Sequence, residues 1–186
     1  MKLRILGVFT ISLALAGFAS FARAGETTYL SPDHRLRAIV IGVDPKKEGS
    51  DKDAESRVEI RTATGKLLLS RDYSSPDGEH GDGVIEAQWT PDSAFFVYSM
   101  SSSGGHQPYY YPTLAYSAHG NTVRRLNYTT VTGNFKIIAP HSLRTLIWPR
   151  DKDGAAIMQE VGVTMDLESG AVEIGSTPLP TPSAPH

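Results

Sequence analysis

A short turn signal recurs three times in this chain, and about thirty residues after each copy a glycine turn follows. Self-similarity at a period of roughly fifty residues is typical of repeat architectures, in which each repeat forms one unit of secondary structure. The sequence therefore predicts three similar units. The copies open at Ser31-Pro32-Asp33, Thr90-Pro91-Asp92 and Ala139-Pro140-His141, and they close at Thr64-Gly65, His119-Gly120 and Ser169-Gly170.

The segments between these turns have the pattern of strands. Val58, Ile60 and Thr62 alternate with more polar neighbours, and a period of two with β-branched residues indicates a half-buried strand. We therefore predict an all-β, propeller-like array of about three four-stranded antiparallel repeats, with an open β-sandwich-like arrangement as the alternative. The predicted strands cover 27–30, 36–43, 57–63, 66–73, 84–89, 95–100, 113–118, 122–128, 135–138, 143–148, 156–167 and 171–174.

The turn residues have structural roles of their own. Proline presets the backbone for the first corner of a turn, and an aspartate can accept hydrogen bonds from the amides that follow it. Glycine adopts the positive φ that a tight hairpin needs. We therefore expect Asp33 and Asp92 to be structural rather than catalytic.

These turns and strands resemble the Pro-Asp repeats of the TolB-like β-propeller family, which is related to the WD repeats. The matching pieces are Ser31-Pro32-Asp33 and Thr90-Pro91-Asp92, each before an apolar strand, while Ala139-Pro140-His141 has lost the aspartate. Such repeats occur in periplasmic binding proteins, in scaffolds and as non-catalytic domains of peptidases, so the resemblance implies a fold rather than an activity. Propellers usually have four to eight blades. With only three repeats, a homodimer that shares one ring is a possibility, as is an open or decayed propeller.

The first residues are typical of a secretory signal peptide. Lys2 and Arg4 precede an apolar stretch, and Ala22-Arg23-Ala24 offers small residues at the positions that a signal peptidase reads. An uncleaved membrane anchor is the alternative, but small polar residues dilute the stretch. We predict a signal peptide at 1–24, a repeat domain at 25–175, a proline-rich disordered tail at 176–186 and no stable membrane span after cleavage.

Composition narrows the class of protein. Removal of Lys2, Arg4 and Arg23 leaves 15 basic and 20 acidic residues, a net charge of −5, which disfavours nucleic acid as a partner. The chain has no cysteine, which excludes thiolate catalysis and a lipid-modified cysteine. A periplasmic or secreted location fits best, and no cofactor is expected.

The connections between the predicted strands differ in length at the two ends of the repeats. Alternate connections of an up-and-down sheet lie at opposite ends, so the short Pro-Asp and glycine turns share one end. The long, polar connections share the other, which is where binding residues usually lie on a rigid scaffold. These long connections are 44–56, 74–83, 101–112, 129–134 and 149–155.

The long connections carry the candidate binding residues. Imidazole and carboxylate groups suit a divalent metal, but two histidines at this spacing match no known ligand pattern, so no metal site is assigned. Tyrosine rings at 109–111 can stack on a sugar or a peptide, or pack beneath the loop. The candidates are His80, His106, Asp82, Glu79, Tyr109, Tyr110 and Tyr111.

Catalytic motifs give little support for an enzyme. The sequence contains no Gly-x-Ser-x-Gly, Ser-x-x-Lys, His-Glu-x-x-His or phosphate loop. Ser102, His106 and Asp82 could form a nucleophile, base and acid, but many serine-rich loops near a histidine allow this. We therefore expect a non-catalytic module that binds an envelope protein, peptide or glycan. The alternative is a metal-dependent or serine hydrolase that uses His80, His106 and nearby carboxylates.

Overall fold

A computed structural model describes residues 25–43, 55–104, 111–149, 153 and 160–175. All regular structure in these segments is β-strand, and none of them contains a helix that could cross a membrane. The strands are β1 Glu26–Leu30, β2 Leu36–Gly42, β3 Ser56–Thr62, β4 Leu67–Asp72, β5 Asp82–Trp89, β6 Phe95–Ser102, β7 Tyr111–Ser117, β8 Thr122–Ala139, β9 Ser142–Ile147, β10 Val161–Asp166 and β11 Val172–Ile174.

The strands form two antiparallel sheets. The first has the order β1-β2-β3-β4 and the second has the order β11-β10-β9-β8-β7-β6-β5, so within each sheet every strand pairs with its neighbours in the sequence. The prediction of an all-β, propeller-like array of antiparallel repeats is confirmed. Most strand ends lie within one or two residues of the predicted ones. The segment 156–159 of one predicted strand, the signal segment 1–24 and the tail 176–186 lie outside the described residues.

Strand β8 differs from the prediction of two strands separated by a loop at 129–134. Its first half pairs with β7 and its second half with β9, and Thr130 is in register with both Tyr111 and Ile147. Gly133 has a φ of +74°, and the register shifts between Thr130 and Phe135. Because one strand pairs with β7 through its first half and with β9 through its second, the second and third repeats share this strand and merge into one sheet. The prediction of a separate loop here is wrong.

The second repeat is packed between the other two, as β6 shows. Phe95 and Val97 belong to a core cluster shared with the third repeat, whereas Phe96, Tyr98 and Met100 belong to one shared with the first. Alternate side chains of a strand point to opposite faces, so β6 is buried on both faces. Burial of this strand is therefore what holds the three repeats together.

The short turns lie together at one end of the sheets, which we call the short-turn end. These are the turns at 31–33, 64–65, 90–92, 119–120, 139–141 and 169–170. Ser31 Oγ donates to Asp33 Oδ1 over 2.7 Å, and Thr90 Oγ1 donates to Asp92 Oδ1 over 2.6 Å. The hydrogen bond from Ser31, with that from the Arg35 amide, holds the pKa of Asp33 well below its usual range. The prediction that Asp33 and Asp92 shape the turns is confirmed.

Candidate functional site

One buried carboxylate joins three connections at the opposite end, which we call the long-loop end. Glu55 is only 2% exposed. Its carboxylate accepts hydrogen bonds from the amide and hydroxyl of Ser75, each 2.6 Å long, from the Gly81 amide over 2.8 Å and from the Ser103 hydroxyl over 2.7 Å. These residues come from the connections before β3, β5 and β7, so one side chain ties together three loops. We call these four residues the Glu55 hub.

The surroundings of the Glu55 carboxyl favour its ionised form. Burial raises the pKa of the Glu55 carboxyl, but the hydrogen bonds from Ser75, Ser103 and Gly81 outweigh burial and lower the pKa to about 2. Donors that point at an anion favour its charged form. At neutral pH the hub therefore contains a buried carboxylate whose charge is satisfied by loop donors.

Asp77 and His80 form a second set of contacts on the same loop. His80 Nδ1 lies 2.6 Å from Asp77 Oδ2, and Asp77 Oδ1 accepts from the Glu79 amide over 3.1 Å. The Glu79 amide, the Ser75 hydroxyl and His80 together lower the pKa of Asp77 to about 2. The imidazole is thus oriented by Asp77 while 65% of the side chain stays exposed.

The other acidic candidates take different positions. Glu79 is exposed beside His80, whereas Asp82 opens β5 and is half-buried. Burial raises the pKa of Asp82, with Arg125 opposing this change and Glu55 adding to it. Asp82 is directly opposite Ser102 in the β5–β6 register. Two members of the hypothetical Ser102, His106 and Asp82 trio are therefore cross-strand neighbours.

The tyrosine candidates are only partly described. Tyr111 is half-buried at the start of β7, and its backbone carbonyl accepts a hydrogen bond from Thr130 Oγ1 over 3.1 Å. Its ring lies beside Gly133, where an added Cβ would be 3.1 Å from Tyr111 Cδ1. His106, Tyr109 and Tyr110 lie outside the described residues, so the pairing of His106 with His80 stays a prediction. In the described part of the chain, no three histidine or acidic side chains are placed to hold a metal ion.

Sequence reasoning did not single out Glu55. It is one of several acidic residues in the predicted connection 44–56, and nothing in its neighbours marks it as buried. Its role depends on loops that are 20 to 48 residues away in the chain. A polar residue acquires such a role only through the convergence of distant segments, which a local pattern does not encode.

Gly81 is the tightest point of the hub, and we predict that replacing it with alanine is destabilising. A Cβ at Gly81 would lie 2.5 Å from Glu55 Cδ and 2.5 Å from the Tyr73 carbonyl oxygen. Overpacking of this kind costs about 1–3 kcal/mol. Urea unfolding of Gly81→Ala should show this loss. Gly175→Ala is the matched control, because its Cβ would meet only the Gly162 carbonyl at 3.7 Å. Equal stability of the two variants would contradict the contact.

Comparisons with known proteins give only loose structural similarity. No family model and no curated protein matches the chain. A puromycin hydrolase mutant (S511A) complexed with PGG has a TM-score of 0.43 and 13% identity, covering 80% of this chain and 21% of its own. An oligogalacturonate lyase in complex with manganese has a TM-score of 0.43 and 13% identity, covering 75% of this chain and 32% of its own. The chain thus spans at most a third of either protein, and similarity at this level carries no conclusion about activity.

Proposed function

We propose that the protein is an exported, non-catalytic module of the TolB-like, WD-like repeat type. In this proposal it acts in the periplasm or outside the cell, where its long-loop end binds an envelope protein, peptide or glycan. The signal-peptide pattern supports export, and the Pro-Asp turns support the repeat type. The observation that carries the binding proposal is the Glu55 hub, which ties three loops into one surface.

Loops held in this way bind at a lower entropic cost. A free loop must be ordered when it meets a partner, and that ordering subtracts from the affinity. Here the charge-assisted hydrogen bonds of Glu55 fix the chain at Ser75, Gly81 and Ser103 before a partner arrives. The side chains of Glu79 and His80 are exposed. The long-loop end therefore combines a fixed backbone with accessible polar groups and the tyrosine ring of Tyr111.

The proposed binding does not depend on a dimer. The outward face of the first sheet carries an ion-pair cluster, in which Arg61 Nη2 lies 2.6 Å from Glu59 Oε2 and Arg57 Nε lies 3.4 Å from Glu59 Oε1. Ile39 is opposite Glu59 in the β2–β3 register, so this face is mixed in character. A homodimer that completes a ring stays a prediction.

We predict that changes at the long-loop end abolish partner capture from an envelope extract. The variant Glu79→Ala/His80→Ala removes two exposed side chains without touching the hub, and Tyr109–Tyr111→Ser removes the rings. The matched control is Thr64→Ala/Lys66→Ala, which alters exposed residues at the short-turn end. Capture is expected to fall at least about tenfold for the first two variants and to stay unchanged for the control. Unchanged capture by both long-loop variants would contradict the proposal.

The alternative is a serine hydrolase, which the register of Asp82 opposite Ser102 favours. A nucleophilic serine needs a base within hydrogen-bond reach, and His106 would have to supply it. Turnover of a chromogenic ester that disappears in Ser102→Ala would support this alternative. Equal, background-level turnover by both proteins would leave the binding module as the better account.

A further inference from the structure

A cleft of about 300 Å³ opens at the short-turn end, between the second and third repeats. Its floor is apolar and is formed by Phe95 and Ala115 of the core cluster between these repeats and by Ala94, which packs against that cluster. Its polar residues come from β7, β8 and the turn between them on one side, and from His141 and Glu168 of the third repeat on the other. Known small-molecule sites combine an apolar lining with a few polar groups and begin at about this volume.

The strand register places the polar groups of β7 and β8 on the face that lines the cleft. Arg124 pairs with Ala115, and Thr122 pairs with Ser117, so these four side chains project from the same face of the sheet. The Arg124 guanidinium also donates to the Leu167 carbonyl oxygen, which lies across the cleft. This hydrogen bond holds the guanidinium at the junction of the two repeats.

Glu168 lines the same cleft as Arg124, but its carboxylate lies beside His141. Among the residues that the structure describes, no carboxylate forms an ion pair with Arg124, which is half-buried. His119, which also lines the cleft, is exposed at its mouth. A half-buried guanidinium beside an apolar floor is suited to a planar anion, because its N–H groups can donate two parallel hydrogen bonds to a carboxylate.

The carboxylates of Asp92 and Glu168, near the opening of the cleft, contact His141 rather than Arg124. His141 Nε2 lies 3.0 Å from Asp92 Oδ2, and His141 Nδ1 lies 3.3 Å from Glu168 Oε2. The imidazole is fixed by these contacts and by the ring of Phe95, whose centroid is 5.3 Å away in an edge-on arrangement. The two carboxylates therefore face His141, which leaves Arg124 available to a ligand.

We propose that this cleft binds a small molecule that carries both a carboxylate and a compact apolar group. The carboxylate pairs with Arg124, with His119 and the Thr122 hydroxyl beside it. The apolar group lies on Ala94, Phe95 and Ala115. This site is at the opposite end from the long-loop surface and does not depend on it. A free organic acid and the carboxyl terminus of a peptide both offer a carboxylate beside an apolar group.

The test measures binding of N-acetyl-leucine and of N-acetyl-leucinamide to the mature chain by isothermal titration calorimetry and NMR. N-acetyl-leucine has the carboxylate and the apolar group, and the amide differs only at the carboxylate. We expect the acid to bind at least about tenfold more tightly than the amide, with shifts in the amide signals of Ala115, Thr122 and Leu167. An N-acetylated dileucine tests the peptide source, and isovalerate tests the free-acid source.

Two cleft variants and one control keep the test decisive. Arg124→Gln keeps a donor for the Leu167 carbonyl but removes the charge, and Thr122→Tyr fills the mouth from an exposed position. Arg35→Gln is the control, because Arg35 is an exposed arginine at the same end but outside the cleft. Affinity should fall at least about tenfold in both cleft variants and stay unchanged in the control. Thermal unfolding checks that each variant is folded.

Three results would overturn the site. The first is no binding of N-acetyl-leucine, the dileucine or isovalerate at about 10 mM, which is weaker than any useful small-molecule affinity. The second is equal binding of the acid and the amide, and the third is undiminished binding by Arg124→Gln. None of these results would affect the capture experiment at the long-loop end.

Discussion

Replacing Glu55 with glutamine is expected to lower the free energy of unfolding by about 3 kcal/mol at pH 7. The carboxylate is buried and accepts four hydrogen bonds, of which those from the Ser75 hydroxyl and the Gly81 amide are 2.6 Å and 2.8 Å long. Glutamine is similar in shape but directs an NH₂ group at some of these donors. Urea unfolding of the variant against the wild type measures the loss.

The same substitution should change how stability depends on pH. The pKa of Glu55 is about 2 in the folded chain, below its ordinary value of 4.5. A lowered pKa stabilises the fold above the ordinary value, and that stability is lost as the pH falls from 4.5 toward 2. Wild-type stability should therefore fall more steeply across this window than that of Glu55→Gln. Glu79→Gln, at an exposed position, is the control, and parallel pH profiles for all three proteins would contradict the role of the hub.

Truncating Phe96 to alanine is expected to cost about 4 kcal/mol, because it leaves a cavity between the first and second repeats. Phe96 is fully buried, and its ring centroid lies 5.2 Å from that of Trp89, 5.5 Å from that of Tyr29 and 5.7 Å from that of Tyr98. Tyr29 belongs to the first sheet, so the variant weakens contact between the sheets. Equilibrium unfolding in urea gives the loss directly.

The control for this prediction is Ile174→Ala. Ile174 is 72% exposed in the last strand, so its truncation should cost less than about 0.5 kcal/mol. If Phe96→Ala were as mild as the control, the first repeat would not be packed on β6 as described. Separate unfolding transitions for the two sheets would also contradict a shared core.

Much of the fold could be predicted from local patterns. The Ser31-Pro32-Asp33 and Thr90-Pro91-Asp92 turns are determined by proline geometry and by aspartate accepting from nearby groups, which are short-range effects. The double burial of β6 is consistent with its apolar run from Phe95 to Val97. The continuity of β8 was not predictable, because the polar residues near Gly133 have the composition of a loop. Pairing of the residues on either side of Gly133 with β7 and β9 keeps this segment within one strand.

The candidate sites were less accessible to sequence reasoning. The prediction that long connections share one end is confirmed for the connections before β3, β5 and β7, since Glu55 contacts both Ser75 and Ser103. The organising residue itself was missed, and so was the cleft around Arg124. Both depend on side chains that meet across loops or repeats, and their separation in sequence leaves no periodic signal. His141 was placed correctly at the short-turn end, but its contacts with acidic groups from two other turns required coordinates.

Photo-crosslinking from the long-loop end and from the short-turn end tests most directly whether the long-loop end is the binding surface. A benzophenone amino acid is placed at Glu79 in one protein and at Thr64 in the other, both at exposed positions. Each protein is irradiated in envelope extract, and the adducts are mapped by mass spectrometry. We expect a discrete adduct from position 79 that is lost in the Tyr109–Tyr111→Ser background, and none from position 64. A discrete adduct from position 64 alone would contradict the assignment of binding to the long-loop end.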